Sequence, residues 1–217
     1  MEIGCGSGKI YDYLSQTGFN GSYTGIEMAS YVINANQQNY PNARWQVGSV
    51  YDLINQSAQY ECCLAFFVLE HLIYPERALE SMLHSLKPGG IIILVFPDFS
   101  CSGIFPSQKI GIRPGAGAKD KLSKGRILDA IISYLEGGMM RRSLHNFNEK
   151  YGRFVVNINP YCLHKDCQQL IPDMDAVYIS NKKEVETWSN ENNCSVSYPM
   201  GVEELFSKIA FMCIRKN

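Results

Sequence analysis

Residues 1–8, Met1-Glu2-Ile3-Gly4-Cys5-Gly6-Ser7-Gly8, constrain the fold of this chain more than any other stretch. An acidic residue ends a short apolar strand, three alternating glycines follow, and a helical pattern then runs from Lys9 to Gln16. Glycine lets bare backbone crowd a ligand, because it accepts positive φ and has no Cβ, and a helix N-terminus adds partial positive charge. Such a loop is either a ligand cradle or a tight turn between strand and helix, and the residues downstream bear on the choice.

Ser22-Tyr23-Thr24-Gly25-Ile26-Glu27 reads as a second strand ending in a carboxylate 19 positions after Gly8. That is where an acid can accept hydrogen bonds from the two hydroxyls of a ribose, although a surface Glu at a strand end has the same pattern. Three further elements follow in order: Gln46 to Leu53, Cys63 to Leu72, and Leu86-Lys87-Pro88-Gly89-Gly90 leading into Ile91 to Pro97.

With those elements in place, residues 2–97 resemble the core of a class I S-adenosylmethionine-dependent methyltransferase. The Glu-x-Gly-x-Gly-x-Gly loop, "VLEHL" after the fourth strand and "LKPGG" before the fifth are similar to the broad group acting on small molecules, lipids and sugars. The resemblance implies S-adenosyl-L-methionine as cofactor. It assigns Glu2, Gly4, Cys5, Gly6 and Gly8 to the methionine end, Glu27 to the ribose with Met28 beside the adenine, and Ser49 with Val50 to the adenine edge. Phe66, just past the fourth strand, would lie near the sulfonium. Ser49 stands where the family usually has Asp. The dinucleotide-binding pattern Gly-x-Gly-x-x-Gly fits less well, because the second spacing here is one residue short.

The implied fold is α/β: a doubly wound, Rossmann-like sheet of seven strands with a shortened first strand and an inserted lid after the fifth. Strand and helix alternate as that fold requires. Helices are expected over Lys9 to Gln16, stopped by Thr17-Gly18, over Ser30 to Asn39, ended at Tyr40-Pro41, and over Glu76 to Leu86. In the last, Ala78, Leu79, Met82, Leu83 and Leu86 form a core stripe, and His84 sits on an exposed flank. Only Met1 to Ile3 precede the loop, whereas a central strand usually runs about five or six residues. The expectation is therefore that the chain is a piece of a longer protein or has a misassigned start.

After Phe99 the sequence leaves the plain family pattern. Lys182 to Asn193 reads as a helix, Cys194 to Tyr198 as the sixth strand and Lys208 to Lys216 as the last. This divides the chain into a cofactor-binding core over residues 1–99, an insertion over 100–180 and a closing segment over 181–217. The insertion contains a Gly-rich loop (Ile110 to Gly117), an amphipathic helix (Ser123 to Leu135), an irregular Asn157 to Tyr161 passage and a short strand (Ala176 to Ser180). From Phe99 to Arg153 there are ten Lys and Arg against four Asp and Glu, in a chain whose net charge is −1. A basic cover over the crevice at the strand ends suggests an anionic substrate; a solvated helix face, with Arg141-Arg142 on it, is the alternative.

The Glu70-His71 pair lines the active site in some relatives. In metal-dependent ones a Glu three residues earlier completes a magnesium site, but Phe67 stands here and cannot ligate a hard cation. His71 either packs under the loop or serves as a proton acceptor. The other candidate base is Asp98 at the end of the fifth strand, with His145 and His164 in the insertion as weaker ones. Cys162, His164 and Cys167 offer three soft ligands within six residues, but a structural zinc wants four, so no metal is expected. The eight cysteines are expected to be reduced.

No apolar run approaches the ~18 residues of a membrane span, and a cytoplasmic location is the default expectation. Nucleic acid is a poor fit as partner, given a pI near 6.4 and no aromatic-interleaved basic run. Asn159-Pro160-Tyr161 lies beyond the fifth strand, out of place for the adenine-N6 methyltransferase motif it resembles. Two functions remain: a methyltransferase for a small or carbohydrate-like, anionic acceptor, or a non-catalytic module that keeps the cofactor-binding shape and acts in an assembly. The oligomeric state is open.

Overall fold

The computed structural model describes residues 1–98, 118–135, 153–154, 156, 176–199 and 209–217. Seven strands form one sheet: β1 (Glu2–Ile3), β2 (Thr24–Glu27), β3 (Arg44–Val47), β4 (Tyr60–Phe66), β5 (Leu86–Pro97), β6 (Cys194–Ser197) and β7 (Ile209–Lys216). Their spatial order is β3-β2-β1-β4-β5-β7-β6, parallel from β3 to β5, with β7 antiparallel to both β5 and β6. This is the doubly wound α/β sheet with a closing antiparallel hairpin that the motif order implied.

β1 lies at the centre. Glu2 pairs with Gly25 on one side and Leu64 on the other, and Ile3 with Ile26 and Ala65. The ladder continues one residue back, where the Met1 carbonyl accepts from the Leu64 amide at 2.8 Å. Two-sided pairing leaves Ile3 and Glu2 each 3% exposed.

The helices follow from local chemistry. α1 (Lys9–Gln16) starts at Gly8 in the left-handed conformation and stops at Thr17, while α2 (Ser30–Asn39) ends at Tyr40 before Pro41. In α3 (Pro75–Ser85) proline opens the first turn, where no amide partner is lost, and Ala78, Leu79 and Met82 recur at helical spacing and are buried. The main core joins that stripe to Ile3, Ile26, Ala65, Ile92, Leu94, Met212 and Ile214.

The sequence reading needs five local corrections. The "LKPGG" segment expected before the fifth strand is its first part, so the helix ends at Ser85 and β5 begins at Leu86. The third element splits, since its strand is Arg44–Val47 and residues Val50–Asn55 wind into a 3-10 helix. The expected helix Ser123 to Leu135 is two: α4 (Ala118–Ser123) and α5 (127–135), separated at Gly125, whose φ is +70°. The expected strand Ala176 to Ser180 contributes only an isolated bridge between Tyr178 and Val156. α6 (Lys182–Glu191) and β6 each stop short of the expected ends, the helix at Glu191 and the strand at Ser197. The Gly-rich loop Ile110 to Gly117, Arg141-Arg142, His145, the Asn157 to Tyr161 passage, and Cys162, His164 and Cys167 lie outside the described residues.

The chain that re-enters the core after the insertion is anchored firmly. The Val177 and Tyr178 amides both donate to the Glu70 carbonyl at 2.8 Å, and Ser180 Oγ donates to the Pro97 carbonyl at 2.5 Å. Tyr178 is fully buried and its hydroxyl donates to Glu184 at 2.8 Å. Arg153 joins Glu76 on α3 to Glu191 on α6.

Candidate cofactor site

Five parallel strands end at one edge of the sheet, and every residue assigned by resemblance lies at that edge or in the loop leaving it. Gly4–Gly8 follow β1, Glu27 and Met28 end β2, Ser49 and Val50 follow β3, Phe66 ends β4, and Asp98 follows β5. Residues separated by up to 96 positions are thereby brought to one edge of the sheet, the usual ligand position in an open α/β fold.

The loop is shaped by its glycines. Gly4, Gly6 and Gly8 have φ of +63°, +45° and +73°. A Cβ on Gly4 would stand 2.5 Å from Val68 Cγ2, and one on Gly8 would stand 2.9 Å from Trp45, so the protein occupies the space at both. Among the described residues, no atom lies within 4 Å of where a Cβ on Gly6 would stand. Gly6 therefore presents bare backbone to open space at the crevice, which is what a backbone-recognised ligand requires.

Glu27 closes the loop onto β2. Its Oε2 accepts from the Gly6 amide at 3.3 Å, and its Oε1 accepts from Met28 at 2.7 Å and from Ala29 at 3.3 Å. Ionised carboxylate oxygens have about four acceptor positions between them, so room remains for a ribose hydroxyl. Met28 beside it is 75% exposed, an apolar surface of the kind an adenine ring covers.

Glu2 is buried, and it accepts a hydrogen bond from the Tyr23 hydroxyl. Burial pushes its carboxyl up to about 7, against the opposing effect of that hydrogen bond. Cys5 faces away from the crevice: its amide donates to the Ile26 carbonyl at 3.1 Å and its side chain is buried. Burial and the neighbouring carboxylates of Glu2 and Glu27 push its thiol up to about 12, so it is neither nucleophile nor charged ligand.

Ser49 caps the 3-10 helix, accepting from the Tyr51 amide at 3.4 Å, while the Asp52 carboxylate accepts from the Ser49 amide at 2.9 Å. The Val50 side chain is part of the main core. Phe66 is the last residue of β4, and Phe67 after it has φ +54°. Glu70 is fully buried, with His71 Nε2 at 3.9 Å from its Oε1, and Asp98 is 4% exposed. Among the described residues no group of three or more His, Cys, Asp and Glu is placed to hold a metal ion, and Cys5, Cys62, Cys63, Cys194 and Cys213 are free thiols.

Reading the sequence missed what holds the loop from behind. Asn36 on α2 is buried and its Nδ2 donates to the Gly6 carbonyl at 2.7 Å. A second core of Cys5, Tyr23, Ile33 and Trp45, flanked by Tyr11 and Tyr40, backs Gly8 and Gly25. Tyr23 was legible in principle: strand alternation puts it on the same face as Gly25, which pairs with Glu2. Asn36, on a helix 30 positions from its partner, carried no such signal.

The methyltransferase domain family matches residues 1–94. Protein 235L of Invertebrate iridescent virus 6, which carries a provisional methyltransferase name, is 27% identical over 95 residues, 44% of this chain and 36% of its own length. The mitochondrial ubiquinone biosynthesis O-methyltransferase of Candida albicans is 27% identical over 100 residues, 43% of this chain and 31% of its own. The chain thus spans about a third of the length of these curated relatives. A protein of Listeria monocytogenes, itself provisionally assigned as an S-adenosylmethionine dependent methyltransferase, shares the fold with a TM-score of 0.57 at 11% identity, over all of this chain and 89% of that one. No helix among the described residues is long and apolar enough to cross a membrane. Over residues 1–94 the chain is thus similar to the methyltransferase domain family, and the cofactor that this similarity implies is S-adenosyl-L-methionine.

Proposed function

We propose that the chain is the cofactor-binding and methyl-transferring part of an S-adenosylmethionine-dependent methyltransferase acting on a small or carbohydrate-like, anionic acceptor. The observation that carries this reading is the Gly6 amide bonded to Glu27, with open space where a Gly6 side chain would be. Glu2 with the Gly4–Gly8 backbone would hold the methionine end, Glu27 the ribose hydroxyls, Met28 and Ser49 the adenine, and Phe66 the region of the sulfonium. When bound, the cofactor supplies an electrophilic methyl carbon. The chain's own part is to align acceptor and methyl and to keep water out. Where the acceptor is a hydroxyl or a protonated amine, His71 or Asp98 takes the proton. The basic balance from Phe99 to Arg153, ten Lys and Arg against four Asp and Glu, supports an anionic acceptor.

Calorimetric titration of S-adenosylhomocysteine into the chain and into Glu27→Ala tests the site. Binding that weakens about 10- to 100-fold on losing the carboxylate is expected, the equivalent of about 1–3 kcal/mol for charged hydrogen bonds. Labelled methyl should then pass from S-adenosylmethionine to acidic rather than neutral fractions of a cell extract. No binding overturns the reading, and binding without transfer to any fraction leaves a non-catalytic module.

A further inference from the structure

Glu2 and Tyr23 form a buried pair at the root of the glycine loop. Both are less than a tenth exposed, and the Tyr23 hydroxyl donates to Glu2 Oε2. The ring that carries this hydroxyl is locked: its centroid lies 4.9 Å from that of Tyr11 and 5.4 Å from that of Trp45. Gly25 makes room for this packing, because a Cβ there would stand 2.6 Å from Trp45 and 2.9 Å from Cys5 Sγ. The donor is thus fixed before any ligand arrives, and no conformational entropy is lost in holding the carboxylate.

We propose that Tyr23 is a positioning residue of the cofactor site: its hydroxyl fixes the Glu2 carboxylate and favours its ionised form, so that cofactor binding is linked to loss of a proton from Glu2. This rests on the reading of Glu2 as the acid that holds the methionine end. The groups that face the pair are few. Cys5 from the loop is held neutral by burial and by the carboxylates of Glu2 and Glu27, and Tyr11 from α1 faces Tyr23. The ammonium of a bound amino-acid moiety would add the missing positive charge beside Glu2 and draw off its proton.

Two measurements test the proposal, both on the intact chain. The first follows the Glu2 carboxyl directly, by NMR titration of carboxyl-labelled protein without ligand, assigned with Glu2→Gln. Burial, opposed by the Tyr23 hydrogen bond, sets a midpoint of about 7, and Tyr23→Phe should raise it. An unmoved midpoint in a folded Tyr23→Phe overturns the proposal, whatever the site binds. The second is calorimetry of S-adenosylhomocysteine across pH in buffers of different ionisation heat. Wild type should bind about tenfold more weakly at pH 6 than at pH 8, with proton release into the buffer below pH 7. Tyr23→Phe should lose more affinity at pH 7 than at pH 8.5, and Glu2→Gln should bind weakly with no pH dependence. Equal losses at both pH values overturn the proton linkage, while absence of binding by wild type at every pH overturns the cofactor reading itself. Should Tyr23→Phe fail to fold, Trp45→Phe, which loosens the ring's packing and keeps the hydroxyl, must shift the same midpoint in the same direction.

Discussion

Asn36 and Gly6, thirty positions apart, are joined by a 2.7 Å hydrogen bond from the Asn36 side-chain amide to the Gly6 carbonyl. With the Gly6 amide bonded to Glu27, both backbone polar groups of Gly6 link the loop to the β2–α2 side of the sheet. The loop's shape is therefore set by partners outside it as much as by its glycines. Asn36→Ala removes a buried donor and strands a carbonyl, which should cost about 1–3 kcal/mol in urea unfolding. Because it also frees the loop, affinity for S-adenosylhomocysteine should fall further than stability alone explains. Unchanged affinity in a folded variant would show that the loop keeps its shape without this bond.

The three loop glycines should separate by mutation. Gly4→Ala forces a Cβ onto Val68 at positive φ, and Gly8→Ala forces one onto Trp45. Each should be destabilising by about 1–3 kcal/mol. Gly6→Ala meets open space, so its stability cost should be confined to the backbone strain, about 1 kcal/mol, while ligand binding is lost. Thermal unfolding compared with calorimetric binding for the three variants checks this ranking.

The sheet order, the positions of α1 and α2 and the crevice at the strand ends were legible because each rests on a local signal: glycine spacing, a strand-ending carboxylate, helix stops. α1 and α2 match their expected bounds. Where the sequence misled, a local signal competed with backbone geometry. Ile127, Leu128, Ile131 and Leu135 recur at helical spacing, but extending that helix back to Ser123 runs through Gly125, which at φ +70° breaks it. Ala176 to Ser180 alternates like a strand, yet its amides at Val177 and Tyr178 are taken by one carbonyl, that of Glu70, so no ladder forms. Asn36 escaped notice because its role exists only once distant segments meet, whereas Tyr23 could be placed by strand alternation.

Acid-range stability should carry the mark of Glu2. Its carboxyl moves from the ordinary value of 4.5 up to about 7 in the folded protein. Between those values the folded state holds a proton the unfolded state has released, so stability from this group is full below pH 4.5 and declines as pH rises through 7. The shift corresponds to about 3 kcal/mol. Burial also raises Glu184, which declines in the same direction. Urea unfolding of Glu2→Gln from pH 4.5 to 8 should show a flatter profile than wild type, and parallel profiles would refute the assignment.

Ser49 offers a gain rather than a loss. A carboxylate accepting from a ligand group forms a stronger hydrogen bond than a hydroxyl, about 1.5–3 against about 0.5–1.5 kcal/mol. Asp is also as good an N-cap as Ser, so Ser49→Asp should keep the 3-10 helix that Ser49 now caps. The Asp52 carboxylate, already on the Ser49 amide, will oppose part of the benefit through like-charge repulsion. The net expectation is a several-fold tighter S-adenosylhomocysteine complex for Ser49→Asp, and a weaker one for Ser49→Ala with about 1 kcal/mol of lost capping. Calorimetry on the pair decides: if Ser49→Asp leaves affinity unchanged, the residue after β3 acts on the cofactor through the cap it makes and not through its side-chain oxygen.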